Sequence, residues 1–198
     1  MLYSRKGVFY LKNLCETLGL RRLSVREMCT LALLIAITVL LSVYATFRVG
    51  NAIKIPMKFI SVFVTAALFG PLPAALTALL GDVLNAFLVP VGPPLPQISL
   101  IEFVSGFIYG MFFYRRWSFS KTYIACVILC VALQGILDIF GTSYVLYSVG
   151  YFPSYMISVS VRLPASAIKM VLQCVVIFAG TKYLPVFGKI VYKKRGSQ

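Results

Sequence analysis

The sequence predicts an all-α integral membrane protein with six transmembrane helices, and three observations lead to that prediction. Of the 198 residues, 60% are hydrophobic and 12% are charged, which is too apolar for a water-soluble domain of this length. The apolar residues form long runs, and most of the 19 Lys and Arg lie at the ends of those runs. Short segments that contain Gly, Pro or charge separate the runs.

The basic composition reflects membrane topology rather than binding of nucleic acid. The formal net charge is +14. A nucleic-acid-binding domain gathers Lys and Arg on a soluble face, whereas here these residues flank apolar runs, so we predict no nucleic-acid partner. Cys126 and Cys130 are one helical turn apart, but the chain contains no His. We therefore predict no metal site, and no cofactor.

Three regions are predicted along the chain. Residues 1–23 form a cytoplasmic or interfacial segment, in which Leu11, Leu14 and Leu18 recur at helical spacing. That spacing is typical of a short helix in the membrane interface, and a frayed tail is the alternative. The six-helix membrane domain occupies residues 24–188, and a basic cytoplasmic tail follows at 189–198. The polar N-terminal segment is too long for a signal peptide, so the first span should remain as an anchor.

The first span begins at a capping box, in which Ser24 is followed three residues later by Glu27. It is predicted to end near residue 46. The five further predicted spans are 56–69, 72–90, 99–114, 122–147 and 154–184. The second span is short for a crossing, so we expect it to be tilted or re-entrant. The last span contains Pro164, where we expect a kink or an unwound turn.

The distribution of Lys and Arg predicts that both termini are cytoplasmic. In that orientation the cytoplasmic segments hold fourteen Lys and Arg and the outer loops hold three. The three are Arg48, Lys54 and Lys58, in "ATFRVGNAIKIPMKFI", which contains no acid. Two explanations remain open. Lys54 and Lys58 extend to lipid headgroups, or the outer cations meet an anion that arrives from outside.

Five charged residues fall within or at the edge of predicted spans: Asp82, Glu102, Asp138, Arg162 and Lys169. A charge at the centre of a membrane helix costs about 2.5–3.5 kcal/mol, so such residues normally pair or line a cavity. The two cations of this set, Arg162 and Lys169, are seven residues apart and share a helix face. Asp138, on the preceding span, is the predicted partner of one of them.

Several polar residues are predicted near the same outer face as these cations. Cations, amides and phenols that converge at an outer mouth indicate a pocket for a planar, polar, acidic small molecule. Tyr147 belongs to this polar rim. The candidate substrate-binding residues are Arg48, Lys54, Asn85, Gln97, Asp138, Tyr144, Arg162 and Lys169.

Two other functions are compatible with intramembrane acids. Membrane carboxylates serve as proton relays in carriers, so a proton-coupled carrier is one alternative. An intramembrane aspartyl hydrolase would use Asp82 and Asp138 as a dyad that shares a proton. The predicted topology places these two residues at different depths, and we do not expect an enzyme. The chain has no Gly-x-x-x-x-Gly-Lys-Ser/Thr loop, so ATP-driven transport would require a separate ATPase.

Two pairs of small residues are spaced four apart, a spacing that lets helices approach closely. One pair is Ala32 and Ala36 in the first span, and the other is Gly106 and Gly110 in the fourth. Packing within the bundle is the default expectation for both pairs.

The motifs resemble those of a known transporter family. Ala-x-x-x-Ala in the first span, "LFGPLPAALTALLGDVLNAFL", "GPPLPQISLIEFVSGFIYG" and "RLPASAIKMVLQ" lie within residues 24–184. Together they resemble the substrate-binding S component of energy-coupling factor (ECF) vitamin transporters, and most closely the folate-type members.

This resemblance implies a function and a set of partners. An S component of this type binds a vitamin, here a folate, on the extracellular side of a prokaryotic plasma membrane. It associates with a transmembrane coupling (T) subunit and two cytoplasmic ATPases, through a face that maps to Ala32 and Ala36. The bound S component is expected to topple in the membrane and release its cargo inside. A lid role for residues 46–56, with Gly50 as hinge, is a further expectation.

Overall fold

The computed structural model describes residues 24–49, 53–89, 95–114 and 121–192. The predicted interfacial helix within residues 8–20 and the hinge at Gly50 lie outside the described residues, as does most of the basic tail. In chain order the elements are α1 Val25–Tyr44, β1 Thr46–Val49, β2 Ile53–Pro56, α2 Phe59–Phe69, α3 Pro71–Leu88, α4 Pro96–Phe113, α5 Lys121–Ile136, a π-helical segment Leu137–Gly141, α6 Thr142–Ser148 and α7 Tyr155–Tyr192.

The prediction of a six-helix membrane fold is confirmed. Within the described ranges, five stretches are long and apolar enough to cross a bilayer: α1, α3, α4, Tyr123–Ser148 and Tyr155–Thr181. The short apolar helix α2 completes the six. The fourth span begins three residues earlier than predicted, at Pro96, because proline is favoured in the first turn of a helix.

Helix α1 begins at the predicted capping box. The Ser24 N–H donates to Glu27 Oε2 at 2.8 Å, and the Glu27 N–H donates to Ser24 Oγ at 3.4 Å. Both bonds satisfy backbone groups that the first turn leaves unpaired.

Residues 46–56, predicted as a loop, contain a β-hairpin. Strands β1 and β2 pair antiparallel, with Thr46 opposite Pro56 and Arg48 opposite Lys54. The strand sequences TFRV and IKIP combine β-branched residues with period-2 alternation, which is the usual strand signal. Strand β2 contacts α7, so the hairpin lies against one end of the bundle, which we call the hairpin end.

Helix α2 is the central helix of the bundle. Nine of its eleven residues are buried, and it contacts α1, α3, α4 and α7. Eleven residues rise only about 16 Å, against a hydrocarbon core about 30 Å thick. The predicted shortness of the second span is therefore confirmed. Because its flanks face protein rather than lipid, α2 need not match the thickness of the bilayer.

Helices α3 and α4 pack closely because small residues line their contact. Ala74, Ala75 and Ala78 of α3 are at most 1% exposed, and they lie on the side where Gly106 of α4 meets the α3 backbone. Gly70, with φ of 101°, makes the turn that reverses the chain between α2 and α3. In a membrane such close packing replaces the hydrophobic effect as the force that holds helices together.

An aromatic cluster joins α2, α4 and α5 at the end of the bundle opposite the hairpin. Phe63 and Phe113 make an edge-to-face contact with ring centroids 5.1 Å apart, and Phe113 and Tyr123 make another at 5.9 Å. The Tyr123 hydroxyl is 2.7 Å from Thr181 Oγ1 of α7. Such aromatic pairs contribute about 0.5–1.5 kcal/mol each beyond simple burial.

The expectation of an unwound turn at Pro164 is wrong, because α7 is a continuous helix from Tyr155 to Tyr192. A proline removes one backbone hydrogen bond, and a helix of 38 residues retains bonds on both sides of it. The irregular backbone lies instead in the preceding span, at the π-helical segment that contains Asp138.

We predict that Gly110→Ala destabilises the protein by about 1–3 kcal/mol or more, since it overpacks a close contact. A Cβ at Gly110 would lie 2.1 Å from Pro71 Cα, which is backbone and cannot move aside. Gly141→Ala is the matched control, because its Cβ would meet only the end of the Ile101 side chain at 3.3 Å. Denaturant titration in detergent measures both; equal stabilities for the two variants would contradict the α3–α4 packing.

Candidate functional site

Lys58 joins three helices at the hairpin end through its ammonium group. Its Nζ is 2.9 Å from Asp82 Oδ1 on α3 and 3.0 Å from Glu102 Oε1 on α4. Ser99 Oγ donates to the other oxygen of Asp82 at 2.8 Å. Lys58 is only 7% exposed, so the explanation that it extends to lipid headgroups is wrong. With both carboxylates ionised, this Lys58 cluster has a net charge of −1.

Asp138 organises a second cluster of opposite sign. Its Oδ1 is 3.3 Å from Arg162 Nη2, and its Oδ2 is 3.1 Å from Lys169 Nζ. Ser166 Oγ lies 3.3 Å from the same Oδ2. Asp138 was expected to pair with one of the two cations, and it pairs with both. This Asp138 cluster therefore has a net charge of +1.

The two clusters are carried by polar stripes on α4 and α7. Residues three, four or seven apart lie on one face of a helix. The stripe on α4 consists of Ser99, Glu102, Ser105 and Tyr109. The stripe on α7 consists of Arg162, Ser166, Lys169 and Gln173.

A narrow cleft lies between the clusters, and residues of both stripes line it. Its volume is about 20 Å³, and about 10–15 Å³ of such space is enough to hold one water. A ring-bearing ligand would therefore have to separate the walls. The lining residues come from β2, α2, α4, α5 and α7: Pro56, Lys58, Phe59, Val62, Glu102, Ser105, Tyr109, Gln134, Lys169 and Gln173.

Some polar groups at the cleft are satisfied and others are not. Gln134 accepts from the Ser105 hydroxyl and donates to the Ser105 carbonyl, the latter at 2.7 Å, which fixes its orientation. Tyr109 Oη and Arg162 Nε are buried and make no hydrogen bond of ordinary geometry within the described residues. A buried donor without a partner is costly. Arg162 Nε is therefore available to a ligand, whereas Tyr109 Oη interacts with Gln173.

The other predicted site residues are spread around the hairpin end. Asn85 is half-buried, one turn beyond Asp82 on α3, and Gln97 is exposed in the first turn of α4. Tyr144 is 66% exposed, and Tyr147 packs edge-to-face on Tyr155. Of the six candidates whose side chains the structure describes, only Lys169 lines the cleft, and Asp138 and Arg162 adjoin it through their ion pairs.

Arg48 and Lys54 are partners in the hairpin register. The structure describes the backbone of both residues, and that backbone lies in the hairpin. Their predicted role in binding stays a prediction.

Sequence reasoning missed four polar residues that line the cleft: Ser105, Tyr109, Gln134 and Gln173. Two signals could have found them. Gln134 and Gln173 interrupt apolar runs, where an amide is expensive unless it is paired. The α4 stripe repeats polar residues at helical spacing from Ser99 onward.

The geometry does not support the aspartyl dyad. Asp82 and Asp138 belong to separate clusters, and each is bound to cations. A dyad requires two carboxylates about 3 Å apart that share one proton. Asp82 and Asp138 instead serve as counterions. Across the described ranges no group of three or more His, Cys, Asp or Glu side chains could hold a metal ion.

The two small-residue pairs have opposite surroundings. Gly106 and Gly110 face the α3 backbone inside the bundle, so internal packing accounts for them. Ala32 and Ala36 are exposed on α1, near Leu33 and Leu40, which are 61% and 55% exposed. The default of internal packing is therefore wrong for the alanine pair.

The profile of the family described as "ECF transporter, substrate-specific component" matches residues 26–179. The chain belongs to this family of S components. Its members are substrate-binding components of transporters and not enzymes, so the expectation that the chain is not an enzyme is confirmed by its family. The same family supports a membrane location, together with the apolar helices.

This S component is also similar to one named protein in sequence and to one solved structure in fold. The chain is 35% identical over 85 residues to a protein named folate transporter FolT from Clostridium novyi (strain NT). That match spans 43% of this chain and about half, 47%, of the relative. The fold is also similar to a solved structure described as FolT bound with folic acid, with a TM-score of 0.68 at 26% identity. This similarity covers 81% of the present chain and 93% of that chain.

We predict that Lys58→Met lowers the stability of this S component by on the order of 3 kcal/mol, because two partly buried carboxylates lose their shared cation. The double variant Lys58→Met/Glu102→Gln should recover part of that loss, since one of the carboxylates is removed with the cation. Arg26→Met, which removes an exposed cation of α1, is the control. Denaturant titration in detergent compares them; a Lys58→Met variant as stable as Arg26→Met would contradict the structural role.

Proposed function

We propose that this S component binds folate or a closely related vitamin at the hairpin end and is the specificity subunit of an ATP-driven ECF importer. The observation that carries the proposal is one cleft with a net positive cluster on one side and a net negative cluster on the other. The similarity to proteins named as folate transporters supports the choice of vitamin.

The chemistry of folate matches both sides of the cleft. Its glutamate carries carboxylates, for which a guanidinium and an ammonium at Arg162 and Lys169 are suitable partners. Its pterin ring presents N–H donors along one edge, which a carboxylate such as that of Glu102 can accept in pairs. Tyr109 and Phe59 supply aromatic walls. The low dielectric of such a cleft strengthens each charged contact.

We infer an orientation with the hairpin end outside and both termini in the cytoplasm. The count of Lys and Arg along the chain supports it. In this orientation the hairpin is a lid, because Pro56 at the end of β2 lines the cleft and β2 rests on α7. Arg48 and Lys54 then attract anionic vitamin from outside. Asn85, Gln97 and Tyr144 complete the rim of the site.

The proposed partners are a transmembrane coupling subunit and two cytoplasmic ATPases in the plasma membrane of a prokaryote. The family is defined as one component of a larger transporter, and the sequence has no phosphate-binding loop of its own. The exposed Ala32 and Ala36 form the contact with the coupling subunit, because small side chains allow a second helix to approach closely.

Calorimetric titration of the purified protein with folate, pantothenate, thiamin, riboflavin and biotin tests the substrate. Folate should bind tightly, and the other four should not. Arg162→Gln and Lys169→Gln should each weaken folate binding by about thirtyfold or more, the effect of losing roughly 2 kcal/mol of buried charge pairing. Arg26→Gln, at the other end of the bundle, is the control. Tight binding of a neutral or cationic vitamin in place of folate would contradict the proposal.

Ala32→Trp and Ala36→Trp should abolish co-purification with the coupling subunit and leave folate binding unchanged, because a bulky ring prevents close helix contact. Ile128→Trp is the matched control, since Ile128 is 60% exposed on α5, away from α1. Pull-down from membranes that contain all subunits measures the first effect, and calorimetry measures the second. An intact complex with either alanine variant would exclude this face as the contact.

A further inference from the structure

We infer that Asp138 is an internal competitor for the carboxylate of the ligand, and that it determines how much negative charge the site accepts. It occupies Arg162 and Lys169 in the closed cleft and gives up one of them when an anionic ligand binds. This inference rests on the proposed function for the identity of the ligand. It concerns a residue that would otherwise be assigned a direct ligand contact or a structural salt bridge.

The contacts of Asp138 are longer than those of Lys58. The two Asp138 ion pairs measure 3.3 and 3.1 Å, whereas the two Lys58 pairs measure 2.9 and 3.0 Å. Strong charge-assisted N–H···O bonds lie at about 2.7–2.9 Å. Both Asp138 ion pairs are thus longer than this range, whereas one of the two Lys58 pairs falls within it.

The backbone around Asp138 also differs from that around Lys58. Asp138 lies in the π-helical segment Leu137–Gly141, in which no residue is buried. Single π turns in otherwise regular helices occur frequently at functional sites. Lys58, in contrast, adjoins α2, which is buried along most of its length. A small displacement of Asp138 disturbs less packing than a displacement of Lys58 would.

Arg162 has a free donor at which the carboxylate of a ligand can begin to replace Asp138. A guanidinium carries five N–H donors, and the contact to Asp138 uses Nη2. Arg162 Nε is buried and has no hydrogen-bond partner within the described residues. A ligand carboxylate could therefore bind Arg162 through Nε and a neighbouring N–H while Lys169 stays paired with Asp138.

The exchange explains why the cluster contains an acid at all. Two cations without a counterion would be expensive whenever the cleft holds no ligand, because unpaired charge in a membrane protein is destabilising. Asp138 supplies the counterion in that state. It leaves a net charge of +1, which suits a single additional carboxylate, and it pairs with Arg162 again when the ligand leaves.

Asp138→Asn, Asp138→Glu and Asp82→Asn test the competition in the full-length protein. The ligands are folate, pteroate, which lacks the glutamate, and 6-methylpterin, which has no carboxylate. Asp138→Asn should tighten folate binding about tenfold, because the ligand no longer competes with an internal anion. Pteroate should gain less, and 6-methylpterin should be unchanged. The folate affinity of Asp138→Glu should stay closer to that of wild type. Asp82→Asn should not tighten the binding of folate more than that of 6-methylpterin.

The alternative roles of Asp138 give different results. A direct contact from Asp138 to the ligand predicts weaker binding of all three compounds in Asp138→Asn. A purely structural salt bridge predicts an equal change for all three. Either result overturns the inference.

Failure of the wild-type protein to bind folate overturns the proposed function instead. In that case phenylglyoxal labelling of Arg162, read by mass spectrometry, still tests the pairing. Labelling should be several-fold faster in Asp138→Asn than in wild type or Asp82→Asn, and an equal rate overturns the inference.

A charge-balanced variant keeps the test valid if Asp138→Asn does not fold. Lys169→Gln leaves Arg162 fully paired with Asp138, so folate binding should fall. Asp138→Asn/Lys169→Gln removes one charge of each sign and leaves Arg162 free. The double variant should bind folate about tenfold more tightly than Lys169→Gln alone. Binding no tighter than that of the single variant contradicts the competition.

Discussion

The position of α2 depends on the Lys58 ammonium and its two carboxylates. An 11-residue helix cannot anchor itself by spanning the bilayer. It is held near its middle by the aromatic contact of Phe63 with Phe113 and at its N-terminus by Lys58. A charge triad at this depth is costly unless every member is paired, so the triad fixes one arrangement of α2, α3 and α4. The cleft borders that arrangement.

The six charged side chains that the structure describes around the cleft balance overall but not locally. Three cations and three carboxylates sum to zero, which limits the cost of burying them within the membrane region. The imbalance lies in their division, with one cation for two acids at Lys58 and two cations for one acid at Asp138. A ligand with donors at one end and a carboxylate at the other complements both. These six side chains therefore give the cleft a negative and a positive side and add no net charge of their own.

Local signals in the sequence predicted the spans and the pairing of Asp138. Packing between distant parts of the chain decided which residues Lys58 pairs with. Apolar run lengths, the capping box and the seven-residue spacing of Arg162 and Lys169 are read along one helix. The partners of Lys58 are 24 and 44 residues away along the chain, and helical spacing gives a face but not the neighbouring helix. The π-helical segment was missed because it depends on contacts that periodicity does not encode. The hairpin was missed because its two strands have only four residues each and lie in a short connection between spans.

The alanine and glycine pairs show the same limit of sequence patterns. Both have small residues four apart, so either could pack inside the bundle or meet a partner. The glycine pair is internal because α3 approaches α4 so closely that a Cβ at Gly110 would lie 2.1 Å from Pro71 Cα. Among the described residues no comparable approach covers Ala32 and Ala36, which are exposed on α1. Because α1 contributes no residue to the lining of the cleft, a partner helix on its outer face would leave the charged walls in contact with ligand.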